Sequence, residues 1–600
     1  MRRLRAVLLL SLAALARAAA PDPAAASAPT PAEAPAAWIA RSNAFTQKVL
    51  DVQLRHAPEN GSRQGLARFD TLVTDPSLAD QRRRRAELQA VFAGIVAQQA
   101  VETDRHVAED LAILHASLDL RLRTEDYALA HDVPYVNASE QVFGGLRALL
   151  DDQVAPERRA SAVVRLRRYA GLEPGTVPYA QRLRERVRAQ LARRGMTTPS
   201  REELQTELGR NAAYLEGIPA LLRKYQLAGW EAPYATLERQ LKDYDAWVRA
   251  TLLPRARTDF RMAPAKYALA FEGYGIDIPP ARVARMAHEA WGRIQAEMAP
   301  LAAPVAKERG FASTDYRDVI AELKKTQVSG DAILPLYDDR LRAIERLVVE
   351  HRIVSLPKRP AIIRLASDAE TAQQPAPHMV PPPFLHNTGQ RGQFVLPLNI
   401  PSATGGAADR YDDFTTDAVA WTLTAHEARP GHELQFDAMV EQGTSLARAL
   451  FAFNSTNAEG WGLYAEWLMQ PYEPADAQLF TLQLRLLRAA RAFLDPELQS
   501  GAVTPARAYQ VLEKDVGLSH AFAKEEVERF MYRSPGQANS YFYGYTRLLA
   551  LREETEAALG PRFDALAFHD FILSQGLLPP DLMRKAVREE FVPAVRAAAR

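Results

Sequence analysis

A His-Glu pair occurs at His288-Glu289, His426-Glu427 and His432-Glu433, and the last two fall inside one short segment, 421–435 (WTLTAHEARPGHELQ). Imidazoles and carboxylates at this density could hold a divalent metal. With no cysteine in the chain, such a site must be built from His, Asp and Glu. Histidines four apart share a helix face, which is why the familiar zinc helix reads HExxH. Here they are six apart, and six steps of about 100° turn His432 away from His426 on a regular helix. Pro430 lies between them and has no N–H; the bond it would have made runs to the carbonyl of His426. Gly431 tolerates conformations closed to other residues. A two-residue bulge at Pro430-Gly431 is therefore expected to return His432 to the face of His426. The competing reading is a helix broken at Pro-Gly, with both histidines bonded locally.

A catalytic zinc shell needs a third protein ligand and one position for water. The segment 454–469 (NSTNAEGWGLYAEWLM) offers Glu459 and Glu466. Asn454 or Ser455 can cap a helix whose first turn carries Glu459. Gly460 and Gly462 allow close packing against another backbone. Glu466, seven residues on, shares nearly the same face; Glu459 is read as ligand and Glu466 as the carboxylate that orients a ligand histidine. Gln435, one turn after His432, is placed in the same outer role. Glu427, adjacent to His426, is the candidate general base.

HEARPGHELQ, NAEGWGLYAE and ERFMYRSPGQANSYFYG stand in that order over 426–544. They resemble the motifs HExxPGHxxQ, EGW-x-LY-x-E and PGQA-x-x-Y-x-x-G of the bacterial DUF885 family, a clan relative of the gluzincin metallopeptidases. The resemblance covers most of the chain after residue 40 and is weakly diagnostic in the N-terminal half. It implies a His/His/Glu zinc site and a multi-helical, two-lobed gluzincin-like fold, mainly α, with a small β-sheet beside the active-site helix. The third ligand of gluzincins often sits in an N-E-G-aromatic context, which Asn457 to Trp461 resembles with one residue inserted; this favours Glu459 over Glu466. A tetrahedral oxyanion needs a donor besides zinc. Tyr541 is the leading candidate, with Tyr543 and Tyr545 as alternatives, and Gln537 and Arg533 are candidates to orient substrate. An edge strand that pairs with extended substrate is a further implication, placed on 393–399 and ending at Asn399. His378 and His386 are candidates to line the cleft.

These groups need a scaffold. From 38 to 355 the pattern is helical; segments such as 202–225 and 235–252 repeat apolar residues at three and four. Between 353 and 405 the texture changes. Ala361 to Leu365 and Gln393 to Asn399 read as short strands, with Pro397 arguing for an edge position, and the Pro-rich stretch between them reads as loop. From 411 onward the chain is helical again, with breaks expected at Pro430, Gly460/Gly462 and Pro535-Gly536.

Arg2, Arg3 and Arg5 precede the apolar run Ala6 to Ala16, and small residues follow. This pattern describes a secretory signal peptide over 1–20, followed by an Ala/Pro-rich linker over 21–37. A catalytic unit is then expected over 38–600, with a helical lobe (38–355) and a zinc-site lobe (356–600). No later apolar run is long enough to span a membrane. With 74 basic and 73 acidic residues there is no global field to favour nucleic acid. The expectation is one zinc ion, a peptide substrate and a periplasmic or secreted location. Hydrolysis of peptidoglycan stem peptides, or peptide binding without catalysis, are the alternatives. Endopeptidase, aminopeptidase, carboxypeptidase and dipeptidase activities are all compatible with the pattern.

Overall fold

A computed structural model describes residues 37–400 and 409–598; the proposed signal peptide and nearly all of the linker lie outside this range. The fold is mainly helical, and Ala37–Arg600 forms one compact unit. The helices that matter for the site are α1 (Pro280–Arg309), α2 (Ile333–Glu350), α3 (Asp417–Glu427), α4 (His432–Gln442), α5 (Ser455–Met469), α6 (Ala475–Ser500), α7 (His520–Glu528) and α8 (Asn539–Leu559). No described helix is long and apolar enough to cross a membrane.

Helix α6 is the axis of the molecule. Leu, Ala and Phe occur around its whole circumference, and 20 of its 26 residues are buried, as expected of a helix enclosed by others. It packs against α1, α3 and α8. One apolar core draws on residues from Val49 to Val592, so helices on both sides of residue 355 share it. A second core is confined to Val133–Ala256 with Ala369 and Ala372. Side-chain caps begin several helices: Thr416 accepts from Val419 N at 3.2 Å, Asn454 from Asn457 N at 2.8 Å and Ser519 from Phe522 N at 3.1 Å.

A three-stranded sheet comprises β1 (Ile362–Leu365), β2 (His378–Val380) and β3 (Gln393–Leu396) in the order β1-β3-β2. β1 pairs parallel to β3, with Ile362 opposite Gln393, and β2 runs antiparallel, with His378 opposite Val395. Two features differ from expectation. β3 is the central strand rather than an edge, and it stops at Leu396. Pro397 lies just beyond it, so the missing N–H costs the ladder nothing. The Pro-rich stretch, expected as loop, supplies β2, because its prolines flank rather than interrupt 378–380. β4 (Asn399–Ile400) forms a separate two-stranded ladder with β5 (Asp409–Arg410).

Candidate metal centre and its cavity

Helix α3 ends at Glu427 and α4 begins at His432. The chain between is a true break, not the bulge expected within a continuous helix. The Arg429-Pro430 peptide is cis, and Ala428 leaves the helical region with φ −103° and ψ −100°. Gly431 is required for space rather than for a positive φ: a Cβ there would lie 1.9 Å from the carbonyl oxygen of His426. Trp461 Nε1 donates to the carbonyls of Pro430 at 2.9 Å and Gly431 at 3.2 Å. The buried Arg429 binds Glu433 and Glu345, each at 2.7 Å, and the carbonyl of Arg359. These contacts fix the corner, and the rings of His426 and His432 meet edge to face with centroids 4.7 Å apart.

Glu459 comes from α5, just past the first turn set by Asn454. Gly460 and Gly462 do not break this helix. They remove side chains where it is crowded: a Cβ on Gly460 would lie 2.6 Å from the backbone carbon of Gly544 in α8, and one on Gly462 would lie 2.5 Å from Cε1 of His426. The helix can therefore lie directly on the imidazole.

The resulting geometry is that of a three-ligand pocket. Glu459 Oε2 is 3.3 Å from His432 Nε2 and 3.5 Å from His426 Nε2, and these three residues could hold a metal ion. An ordinary charge-assisted hydrogen bond is about 2.7–2.9 Å long. Two ligands each about 2.0–2.1 Å from a tetrahedral zinc stand about 3.3 Å apart, so the spacing and the donor set both fit such an ion. Glu427 Oε1 is 3.9 Å from His426 Nε2, beside the centre rather than part of it.

Behind the ligands, Glu466 Oε1 accepts from Nδ1 of His426 at 2.7 Å and from Arg488 at 3.0 Å. A carboxylate can only accept, so Nδ1 carries a proton and Nε2 faces Glu459 and His432. Gln435 donates to Asn457 Oδ1 at 3.0 Å, tying α4 to α5. Nδ1 of His432 is buried with no partner among the described residues.

The charges are unbalanced. Burial lowers the pKa of His426, but the carboxylates of Glu459 and Glu466 outweigh it and raise it to about 9. Glu459 is held well below the usual carboxylate range: burial opposes this, and the two histidines dominate. Protein groups alone thus draw positive charge to the centre. Burial pushes Glu427 upward, the direction a general base near neutrality requires.

The centre opens on a cavity of about 570 Å³. Its lining includes Phe384, Phe414, Phe436, Phe453 and Phe522 together with Arg488, Arg491, Arg529 and Arg533. Of the three tyrosines, only Tyr541 lines the cavity. Its ring stacks on that of His426 at 6.2 Å, and its hydroxyl accepts from Arg529 Nη2 at 3.1 Å. Tyr543 is turned toward Asp277 and Arg547, and Tyr545 lies under Arg485. Arg533 binds Glu525 and the carbonyl of Gln373, while Gln537 donates to Ser455 at 2.9 Å; both line the cavity. His378 lines it as well, with a pKa lowered to about 4 by burial. His386 is not on its wall and packs by its backbone against Gly65. Asn399 is placed only through its backbone pairing with Arg410. Arg488, Arg491 and Arg529 were not singled out in the sequence. The available signal was the recurrence of Arg485, Arg488 and Arg491 every third position inside an otherwise apolar helix.

The family model described as "Bacterial protein of unknown function (DUF885)" matches residues 58–587. No curated protein matches the chain. Two solved structures resemble it along nearly their whole length. One, from Shewanella oneidensis, is described as "a putative lipoprotein of unknown function"; it is 19% identical, with a TM-score of 0.69 and coverage of 92% of this chain and 100% of that one. The other, described as "the putative lipoprotein from Colwellia psychrerythraea", is 18% identical, with a TM-score of 0.73 and coverage of 93% and 99%. At such identities the likeness is one of fold.

Proposed function

The chain belongs to the DUF885 family, and we propose that this protein is a zinc-dependent peptidase of the gluzincin-like kind, acting in an exported compartment. The observation that carries the reading is the spacing of His426, His432 and Glu459, whose ligand atoms stand 3.3 and 3.5 Å apart with Glu427 beside them. The exported location is supported by the N-terminal pattern of the sequence and by the description of both structural neighbours as lipoproteins.

His426, His432 and Glu459 would hold the ion. Bound there, zinc supplies a Lewis acid for the scissile carbonyl and lowers the pKa of water toward 7. The remaining chemistry belongs to side chains of this chain. Glu427 takes a proton from the attacking water and returns it to the departing amine nitrogen. Arg529 donates to the oxygen of Tyr541, which leaves the phenol's own proton free to be donated to the oxygen that gains charge. Burial raises the pKa of Tyr541, so that proton is retained. Glu466 holds the ring of His426 in place, and Arg488 holds Glu466. The phenylalanines of the lining would offer substrate side chains apolar surface.

Elemental analysis of the dialysed protein, with hydrolysis of a mixed peptide library, tests this reading. About one zinc per chain and metal-dependent cleavage are expected. Intact protein that neither retains zinc nor cleaves any peptide overturns it.

A further inference from the structure

The arginines that line the cavity are not evenly neutralised. Arg491 holds Glu526 through two bonds of 2.6 Å. Arg488 is bound to Glu466 at 3.0 Å and to the carbonyl of Leu484. Arg533 is engaged by Glu525 and by the carbonyl of Gln373. Arg529 differs. Its side-chain contacts are a 3.4 Å approach to Glu526, which Arg491 already satisfies, and a 3.1 Å bond to the neutral phenol of Tyr541. A guanidinium has five N–H donors, so three of those on Arg529 have no partner among the described residues. The group lines the cavity, and its side chain is 18% exposed. Burial would lower its pKa, but Tyr541, Glu526 and Glu459 hold it above the ordinary value, so the charge persists.

Its position relative to the metal centre is set by one ring. The centroid of Tyr541 lies 6.2 Å from that of His426, and the guanidinium carbon of Arg529 lies 5.4 Å from the same centroid. The guanidinium therefore lies within about 12 Å of the His426 ring. A residue spans about 3.3–3.6 Å of extended chain, so an extended peptide with its scissile carbonyl beside that ring reaches Arg529 within about three residues. The planar fork of a guanidinium matches a carboxylate bidentately.

Resting on the peptidase reading above, we propose that Arg529 anchors the α-carboxylate of the substrate's C-terminus, so that the enzyme removes residues from that end of peptides. The chemistry recognised is a carboxylate, which a chain terminus or an acidic side chain could supply, and the test separates the two.

The test compares one N-acylated peptide as its free acid and as its C-terminal amide, together with a third, amidated peptide carrying an internal glutamate. The free acid is expected to be cleaved at least tenfold better in kcat/KM than either amide. Arg529→Gln, which also removes the contact with Tyr541, should slow all three peptides but lower kcat/KM for the free acid by a further tenfold or more, mainly through KM, and so erase the preference; Arg529→Lys should restore part of it. Equal cleavage of acid and amide, or preference for the internal glutamate, overturns the proposal while leaving the peptidase reading intact. Calorimetric binding of the same peptides to the Glu427→Gln protein provides a readout that needs no turnover. Tighter binding of the free acid, lost on adding Arg529→Gln, supports the carboxylate site even if no peptide is hydrolysed, in which case the peptidase reading and the removal of residues fail while the binding site stands.

Discussion

Gly462 lies against the imidazole of His426 so closely that a methyl group on residue 462 would stand 2.5 Å from Cε1, 2.8 Å from Nε2 and 2.9 Å from Nδ1. The ring cannot retreat without giving up its 2.7 Å bond to Glu466. Gly462→Ala is therefore expected to displace the ring, weaken zinc binding by about 10–100-fold, the range for disturbed outer-sphere partners, and destabilise the fold by about 1–3 kcal/mol through overpacking. Zinc titration against a competing chelator, with urea denaturation of the same variant, checks both effects. Unchanged zinc affinity would refute the assigned role of His426.

The three carboxylates around His426 should separate by function. Glu427→Gln keeps shape but cannot take a proton; it is expected to retain zinc and lose about 10²–10⁴ in rate. Glu459→Ala should lose metal and activity together. Glu466→Ala should lower zinc affinity less than Glu459→Ala does. It should also destabilise the protein by about 3–5 kcal/mol, because it leaves Arg488 buried without its carboxylate. Zinc content, rate and denaturation midpoint are measured on one set of preparations. If Glu466→Ala strips the metal and Glu459→Ala does not, the ligand assignment is wrong.

Among the tyrosines only Tyr541 reaches the cavity. Tyr541→Phe should cost about 10²–10³ in kcat, the usual effect of removing one oxyanion donor. Tyr543→Phe and Tyr545→Phe should stay within a few-fold of the parent. Steady-state kinetics of the three variants on one substrate decides the matter, and a silent Tyr541→Phe removes this residue from the mechanism.

Glu473 sets a pH dependence of stability away from the metal centre. It is buried; Thr481 donates to one oxygen at 2.6 Å, and the other oxygen has no partner among the described residues. Burial pushes its pKa up from 4.5 to about 8. The folded protein thus keeps a proton that the unfolded chain releases near 4.5. The stabilisation is complete below that value, shrinks as pH rises and is gone above about 8, a change on the order of a few kcal/mol. Urea midpoints of the parent should fall between about pH 5 and pH 9, and Glu473→Gln should flatten that slope. Parallel profiles for the two proteins would contradict it.

What could be read in the sequence depended on how local the determinants are. His426 and His432 were legible because Pro430 and Gly431 stand between them, although the remedy is a corner clamped by Trp461 and Arg429 rather than a bulge. That clamp joins residues some thirty apart and leaves no periodic trace. Gly460 and Gly462 suggest both a helix break and close packing; the packing holds, with Gly544 and His426 filling the spaces they leave, and the break does not, because tertiary packing overrides their poor helix propensity. Pro397 misled for the opposite reason: it marks where β3 stops, not where the strand sits in the sheet. Arg488 and Arg491 recur at a spacing of three inside a largely apolar helix, but their partners, Glu466 and Glu526, come from other segments, so what they bind leaves no local trace.

The meeting of Gly460 with Gly544 has one more consequence. At this point no side chain separates the backbones of α5 and α8, and Ser455 bonds Ser540 across the same pair at 2.7 Å, so the helix that carries Glu459 is braced directly against the one that carries Tyr541. On the proposed peptidase reading, the span from Glu459 to Tyr541 would then work as a fixed gauge, to which an entering peptide must adjust.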